Sequence, residues 1–258
     1  MKGDFSRPTF DAARHYAEVR MQQGRVQVDA DWNEQVDITR HRTETETLDA
    51  VGRCGGPLHA SAFGVTTFAA LSAADKLYVQ ARYPGFADGG GNFLLTAGRY
   101  YVDGILVENE HPVPFTLQPD LPGVSPLPAG VNHLLYLDVW ERHLTALEEP
   151  SLREIALGGP DTATRARVVW QVRALPVGAQ LGCSPVPPAY AAATSPSTGR
   201  LRMRASADLS TGDPCVVPAA AGYRGLENQL YRVEIHNHGA AVSHAGVPGW
   251  PVASAVVG

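Results

Sequence analysis

Lysine is nearly absent from this chain: Lys2 and Lys76 are the two lysines among its 21 basic residues. The formal net charge is −5, and no run of Lys or Arg forms a basic stripe. This composition argues against a nucleic-acid-binding protein and against a polybasic membrane anchor. Because 44% of the residues are hydrophobic and 18% are charged, the chain is expected to fold around a buried core.

Long apolar stretches are also lacking. No run of about 18 apolar residues occurs, so we expect neither a transmembrane helix nor membrane insertion. The N-terminal sequence MKGDFSRPTFDAARHY has charges or a proline within every apolar run, unlike the apolar core of a signal peptide. We therefore expect synthesis in the cytoplasm without a signal peptide. Assembly into a particle that lysis releases is compatible with that expectation.

Motifs for metal binding and catalysis are scarce. The cysteines are Cys54, Cys183 and Cys215, and none forms a C-x-x-C pair, so a structural zinc site is not expected. Cys183 and Cys215 flank a proline-rich region and could meet, but free thiols are favoured in a cytoplasmic protein. No G-x-S-x-G motif or phosphate-binding loop occurs. We therefore expect no cofactor.

A histidine cluster and an acidic cluster are the two candidates for metal binding in the sequence. The sequence HNHGAAVSH contains His236, His238 and His244, and two histidines at alternate positions of a strand can bind a metal. The strand pattern ends there, which favours solvated histidines in a loop. In DADWNEQ, Asp29, Asp31 and Asn33 match the start of a calcium-binding loop. The loop glycine is replaced by Glu34 and the final glutamate by Arg40, which argues against calcium.

Residues 1–52 are predicted to form an extended arm and a polar helix. Asp31 is the predicted N-cap, with Glu34 completing a capping box, and the helix should end at Gly52. Its apolar residues, among them Trp32, are sparse. Such a helix is expected on a surface or against a partner chain through a narrow seam.

Residues 53–240 are predicted to form an antiparallel β-rich domain, sandwich- or barrel-like, in a mainly β chain with an N-terminal helix (α+β). Asp103-Gly104 between YYV and ILVE indicates a tight hairpin. HLLYLDVWERHLT, RARVVWQVRAL, RLRMRA and QLYRVEIHN indicate further strands. No second helical pattern is identified. Residues 241–258 are expected to form an irregular tail.

Several long phrases, in order, resemble a bacterial family of unknown function (domain of unknown function 6519). They are MKGDFSR, MQQGRVQVDADWNEQ, GRYYVDGILVENE, YLDVWERHLTALE, EIALGGPDTATRARVVWQV and GYRGLENQLYRVEIH. Members of that family are associated with phage-tail-like contractile injection systems. The N-terminal phrase is also similar to the corner of phage tail-fibre and baseplate attachment domains. The resemblance implies a structural role, brings no catalytic residues, and makes the tail at 241–258 look truncated.

We therefore expect a non-enzymatic structural or attachment component of a phage-tail-like particle, at a baseplate or tail fibre. Its partners would be other tail or baseplate proteins, and by analogy it would form a homo-oligomer, a trimer in many fibres. The candidate assembly residues are Arg25, Trp32, Asn33, Glu34 and Gln35. The simpler alternatives are that Trp32 fills the chain's own core and that Glu34 only caps the helix.

The alternative function is a carbohydrate-active or carbohydrate-binding β protein, including a glycoside hydrolase. Asp138 and Trp140 share one face of a predicted strand, Glu141 follows, and such a strand could form a cleft for a sugar. Nearby arginines offer ordinary ion-pair partners for both carboxylates.

Overall fold

The computed structural model describes residues 5–178 and 186–195 of the chain. The chain divides into two compact units, residues 1–190 and 191–258. In the second unit, the described residues end with Ser195, whose hydroxyl donates a 2.6 Å hydrogen bond to the carbonyl oxygen of Ala191. The sequence-predicted features that lie outside the described residues are the strands RLRMRA and QLYRVEIHN, the histidines His236, His238 and His244, the cysteines Cys183 and Cys215, and the irregular tail at 241–258.

The described chain contains helices and small antiparallel sheets. The helices are α1 (Asp29–Val51), α2 (Ala73–Arg82) and α3 (Pro188–Thr194). The strands are β1 (Cys54–Gly55), β2 (Val65–Thr66), β3 (Leu94–Leu95), β4 (Gly98–Val102), β5 (Ile105–Asn109), β6 (Val113–Pro114), β7 (Asn132–Leu144) and β8 (Arg165–Val177). The sheet orders are β1-β4-β5, β2-β3-β6 and β7-β8. The α+β class is confirmed, but the barrel-like expectation is wrong, because no sheet in the described part closes.

The β4–β5 hairpin forms where the sequence predicts it. Asp103 and Gly104 have φ values of 46° and 86°, the positive values that a two-residue hairpin turn requires. Val102 faces Ile105 across that turn. Strand β1 pairs with the other side of β4, so β1 and β5 are the edge strands of this sheet.

Strands β7 and β8 form a long two-stranded ribbon with two different faces. All 13 residues of each strand are paired, from Asn132 opposite Val177 to Leu144 opposite Arg165. Because side chains alternate along a strand, cross-strand partners share a face. The face that we call the core face carries Leu135, Leu137, Val139, Glu141, Val168, Trp170, Val172 and Ala174.

The hydrophobic core lies against one end of the core face. Its centre is formed by Leu95, Phe115 and Val172, which are almost fully buried. Phe93 stacks on Phe115 with ring centroids 4.7 Å apart. The Gln118 side chain accepts a 2.6 Å hydrogen bond from the Val172 N–H and donates one of 2.9 Å to its carbonyl. These bonds fix the loop before β7 to the middle of β8.

Helix α1 begins earlier than the sequence indicates. Its N-cap is Val28, without a side-chain capping bond, and the Asp31 N–H bonds the Val28 carbonyl at 3.2 Å. The prediction of Asp31 as N-cap is therefore wrong. Asp29 and Asp31 occupy the first turn, where carboxylates favour the helix dipole. The predicted end is confirmed, because Gly52 follows the helix with a φ of 86°.

The expectation of no second helix is also wrong. Helix α2 begins after Ser72, whose hydroxyl accepts a 3.1 Å hydrogen bond from the Asp75 N–H. Ser-x-x-Asp is a capping signature, so the sequence did contain the signal. Residues 25–28 form no strand and belong to the arm.

Candidate functional site

The N-terminal arm, residues 5–28, is fixed to the first turns of α1 by side chains of the helix. Asp29 accepts a 2.9 Å hydrogen bond from the Ser6 N–H. Glu34 Oε2 accepts one of 2.8 Å from the Thr9 hydroxyl, and Gln35 Oε1 accepts one of 2.7 Å from the Val19 N–H. The Ser6 N–H is also the largest cause of a pKa below the ordinary value at Asp29.

The predicted assembly residues therefore divide into two whose side chains bond the arm, Glu34 and Gln35, and three whose side chains form no such bond within the described residues, Arg25, Trp32 and Asn33. Glu34 and Gln35 hold the chain's own arm, and the second oxygen of Glu34 is buried without a partner among the residues that the structure describes. Asn33 is half-buried, whereas Arg25 is exposed beside the turn at residue 24. Trp32 is 62% exposed, so it does not fill the chain's own core.

Exposed apolar side chains are concentrated in the sequence around Trp32. Single exposed apolar residues are common on protein surfaces, but contiguous ones mark interaction sites. Six of the 18 exposed large apolar side chains in the described chain fall within residues 16–36: Tyr16, Met21, Val26, Val28, Trp32 and Val36. We call this segment the N-terminal corner.

A groove of about 940 Å³ separates one face of α1 from the hairpin and the ribbon. The helix side is a stripe of residues three or four positions apart, including Trp32, Val36, Arg40, Thr43, Glu44 and Thr47. The opposite side includes Leu106 and Glu108 of β5, Glu141 of β7, and Arg167, Val168 and Trp170 of β8. Glu141, Val168 and Trp170 belong to the core face, so the groove continues the surface on which the core packs.

Two contacts hold α1 across the groove. The Arg40 guanidinium lies 2.5 Å from a carboxylate oxygen of Glu141. At the hairpin tip, a Cβ on Gly104 would lie 2.4 Å from the Glu44 carbonyl oxygen, so the turn directly abuts the helix backbone. Strand β1 follows the helix and pairs with β4, with Cys54 opposite Val102. The helix is thus fixed beside the sheets while most of its facing stripe stays open.

The groove is acidic. Its lining contains five carboxylates and two guanidinium groups: Glu44, Glu108, Glu110, Asp120 and Glu141, against Arg40 and Arg167. Arg167 pairs with Asp120 at 3.4 Å, and Arg40 lies 3.9 Å from Glu44 as well as close to Glu141. Glu108 and Glu110 form no ion pair within the described residues. An incoming cation would therefore find two uncommitted carboxylates.

The carboxylates of the carbohydrate alternative do not share a face. Asp138 faces away from the core side of the ribbon and lies 3.2 Å from the Arg173 guanidinium, whereas Glu141 lies in the groove. Beside Asp138, burial raises the pKa of Tyr136, and the charge of Arg173 opposes part of that rise. Both carboxylates have ion-pair partners, but these are Arg173 and Arg40, which are distant in the sequence, and the nearby Arg142 pairs with Glu148 instead.

The described residues contain no group of three or more His, Cys, Asp or Glu placed to hold a metal ion. Cys54 is an exposed free thiol. Every helix in residues 5–178 and 186–195 is too short or too polar to cross a bilayer. Of the sequence-predicted candidates, Trp32 lies in the N-terminal corner and also lines the groove. The groove itself was not predicted, because Leu106, Glu108 and Arg167 meet α1 only in the folded chain.

The observed features define an α+β protein with an exposed apolar corner and an acidic groove beside an edge strand. A family model matches nearly the whole chain, over residues 1–183 and 178–257, and its description is "Family of unknown function (DUF6519)". The chain belongs to this family. No curated protein and no solved structure matches it.

Proposed function

We propose that this chain is a non-enzymatic structural component that attaches to a larger assembly, as a docking module at the baseplate or tail fibre of a phage-tail-like particle. The main support is the N-terminal corner, where Met21, Val26 and Trp32 remain exposed although the arm is fixed to α1. Exposed apolar side chains on a fixed backbone can be buried by a partner at little cost in conformational entropy. The choice of a phage-tail-like particle rests on the sequence resemblance described above.

The partners in this proposal are other tail or baseplate proteins, and the chain acts as a homo-oligomer, a trimer by analogy with fibres. Arg25, Trp32 and Asn33 provide the contacts. Glu34 and Gln35 contribute indirectly, because they hold the arm that carries Met21 and Val26.

Substitutions at the corner test the proposal. Met21→Glu, Val26→Glu and Trp32→Glu place charges on exposed positions, so the fold should persist while attachment is lost. Leu58→Glu and Ile155→Glu are matched controls, because those side chains are 89% and 90% exposed outside the corner. Particles purified from cells that carry the gene should retain the controls and lose the corner variants. The proposal fails if no particle contains the wild-type chain, or if the gene has no sheath, tube or baseplate genes beside it.

A second candidate is carbohydrate binding in the groove. The specific observation is that Trp32, Tyr101 and Trp170 line the groove together with carboxylates, a combination that can stack on sugar rings and bond their hydroxyls. Asp138 and Trp140 are not among the lining residues, so the cleft would centre on Glu141. Glycan-array binding that Trp32→Ala abolishes would support this candidate over the first.

A further inference from the structure

We propose that the groove between α1 and β5 docks an extended, basic segment of a partner protein, which adds a strand to the free edge of β5. The inference goes beyond the proposed function, because it concerns the groove and the edge of β5 and holds whatever assembly the chain joins. The groove shares Trp32 and Val36 with the N-terminal corner, so the tests below use residues in or next to β5. It rests on the edge of β5, on the charge of the groove and on its length.

Strand β5 has unused backbone groups on one side. In a two-residue hairpin the residues flanking the turn bond each other, so Ile105, Val107 and Asn109 bond β4. The N–H and C=O groups of Leu106 and Glu108 consequently point to the other side. None of the backbone hydrogen bonds within the described residues uses them. An unpaired strand edge is a template for an incoming strand.

The residues that carry these groups border the groove. Leu106 and Glu108 both line it, and Leu106 is 40% exposed. The helix stripe on the other side of the groove includes Thr43 and Thr47, whose hydroxyl groups can bond a chain that lies there. In this proposal, a strand that pairs with β5 occupies the groove beside α1.

The charge of the groove selects a basic occupant. Glu108 and Glu110 have no ion-pair partner among residues 5–178 and 186–195, and both lie on or next to the free edge. Arg99 is opposite Glu108 in the β4–β5 register but does not reach it as an ion pair. Lys or Arg at alternate positions of an incoming strand would meet these carboxylates. Trp32 and Trp170 add aromatic faces on which a guanidinium can stack.

The length of the groove fits a short extended segment. Its helix stripe runs from Trp32 to Thr47. At about 1.5 Å per helical residue this distance is roughly 22 Å. A strand advances about 3.3 Å per residue, so roughly six or seven residues would span it. The Arg40–Glu141 ion pair crosses the groove, and a basic side chain of the partner can replace Arg40 beside Glu141.

Peptide titration of the full chain tests the proposal. The probe is a synthetic peptide of about seven residues that alternates Arg with Leu, a length set by the strand spacing. The control alternates Glu with Leu. We expect calorimetric binding of the first peptide at least about tenfold tighter than the second, which corresponds to about 1.4 kcal/mol. Added salt should weaken it, since the contacts are electrostatic and partly exposed.

Variants of the edge separate strand pairing from general attraction. Leu106→Pro removes the N–H that faces the groove and leaves the bonds to β4 intact. It should reduce Arg-Leu peptide binding about tenfold or more, whereas Leu106→Val should not. Glu108→Gln with Glu110→Gln should weaken binding and flatten its salt dependence. Glu46→Gln with Asp49→Asn is the matched control, because these acids line a different surface of α1.

Three results would overturn the proposal. The first is equal binding of both peptides, and the second is unchanged binding by a correctly folded Leu106→Pro variant. The third is a dimer of the chain that Leu106→Pro dissociates, because the edge of β5 would then pair with a second copy of the chain. Particle association does not enter these readouts. If no particle contains the wild-type chain but the chain binds the Arg-Leu peptide, the proposed function alone fails. If particles contain the wild-type chain but the chain does not bind the peptide, this inference alone fails.

Discussion

The two ends of the ribbon's core face differ in what covers them. At one end, Val172 packs with Leu95 and Phe115 in a dry cluster, and Gln118 bonds both backbone groups of Val172. At the other end, Val168 and Trp170 continue the same face into an open groove beneath α1. Strand β8 thus runs from a closed core to a groove in which apolar and acidic groups are accessible to a partner.

This difference distinguishes the part of the ribbon that stabilises the fold from the part that we propose binds a partner. Burial at the core end contributes to folding, because those side chains leave water completely. At the groove end, α1 is held by few contacts, among them the Arg40–Glu141 ion pair and the approach of Gly104 to Glu44. The side chains left open there can still bury surface when a partner binds. Substitutions at the two ends should therefore have different consequences.

The largest contrast is expected between Phe115→Ala and Trp32→Ala. Phe115 is 2% exposed, and truncating a buried Phe costs about 3–5 kcal/mol of unfolding free energy. Trp32 is 62% exposed, so its truncation should change the unfolding free energy by about 0.5 kcal/mol or less. Urea denaturation measures both values. Equal losses would show that Trp32 supports the fold and would remove it from the interface.

The second contrast concerns the hairpin tip that meets α1. Gly104→Ala adds a Cβ at a φ of 86° and 2.4 Å from the Glu44 carbonyl oxygen, so both backbone strain and a clash result. Gly85→Ala is the matched control, because its φ is 88° and its Cβ would have open space.

We expect Gly104→Ala to lower the unfolding free energy by about 2–3 kcal/mol and Gly85→Ala by about 1 kcal/mol. Thermal melting measures the difference, which isolates the contact between hairpin and helix. If the two variants lost the same amount, the hairpin tip would not press against α1.

The structural features that can be predicted from the sequence are those that a short segment of chain determines locally, such as turns, helix ends and long strands. Asp103-Gly104 requires a turn with positive φ, and Gly52 ends a helix, whatever the rest of the chain does. The two long strands of the ribbon are likewise recognisable from their apolar pattern. The predicted start of α1 was wrong: the helix begins at Asp29, whose carboxylate accepts a hydrogen bond from the Ser6 N–H, 23 residues away along the chain, and the local sequence does not indicate that contact.

The groove could not be predicted because its lining comes from separate parts of the sequence. Glu108 and Arg40 are unremarkable charged residues locally, and only the approach of β5 to α1 gives them a common surface. Sheet closure is similarly a tertiary property, so alternating strands suggested a barrel where small open sheets form. Helix α2 was a different failure, because its capping signal at Ser72 and Asp75 was present.

A smaller effect is expected from the ion pair that crosses the groove. Arg40 and Glu141 retain 40% and 26% exposure of their side chains, and solvent screens such pairs. Arg40→Gln and Glu141→Gln should each lower the unfolding free energy by about 0.5–1 kcal/mol. The double variant should lose less than the sum, and the coupling should shrink in high salt. Strictly additive losses would show that the pair does not hold α1.

The smallest effect is expected at the arm, through Asp29. The Ser6 N–H holds the Asp29 pKa below its ordinary value of 3.8, so the folded chain binds this proton more weakly than the unfolded chain. The resulting stabilisation is present above that value and is lost as the pH falls through the lower folded pKa. In an NMR titration, Ser6→Pro removes the donor and should return the Asp29 pKa towards 3.8. Asp31→Asn keeps the Ser6 bond and is the control for charge in the same helical turn. An equal shift of the Asp29 pKa in both variants would show that the helix, and not the arm, lowers this pKa.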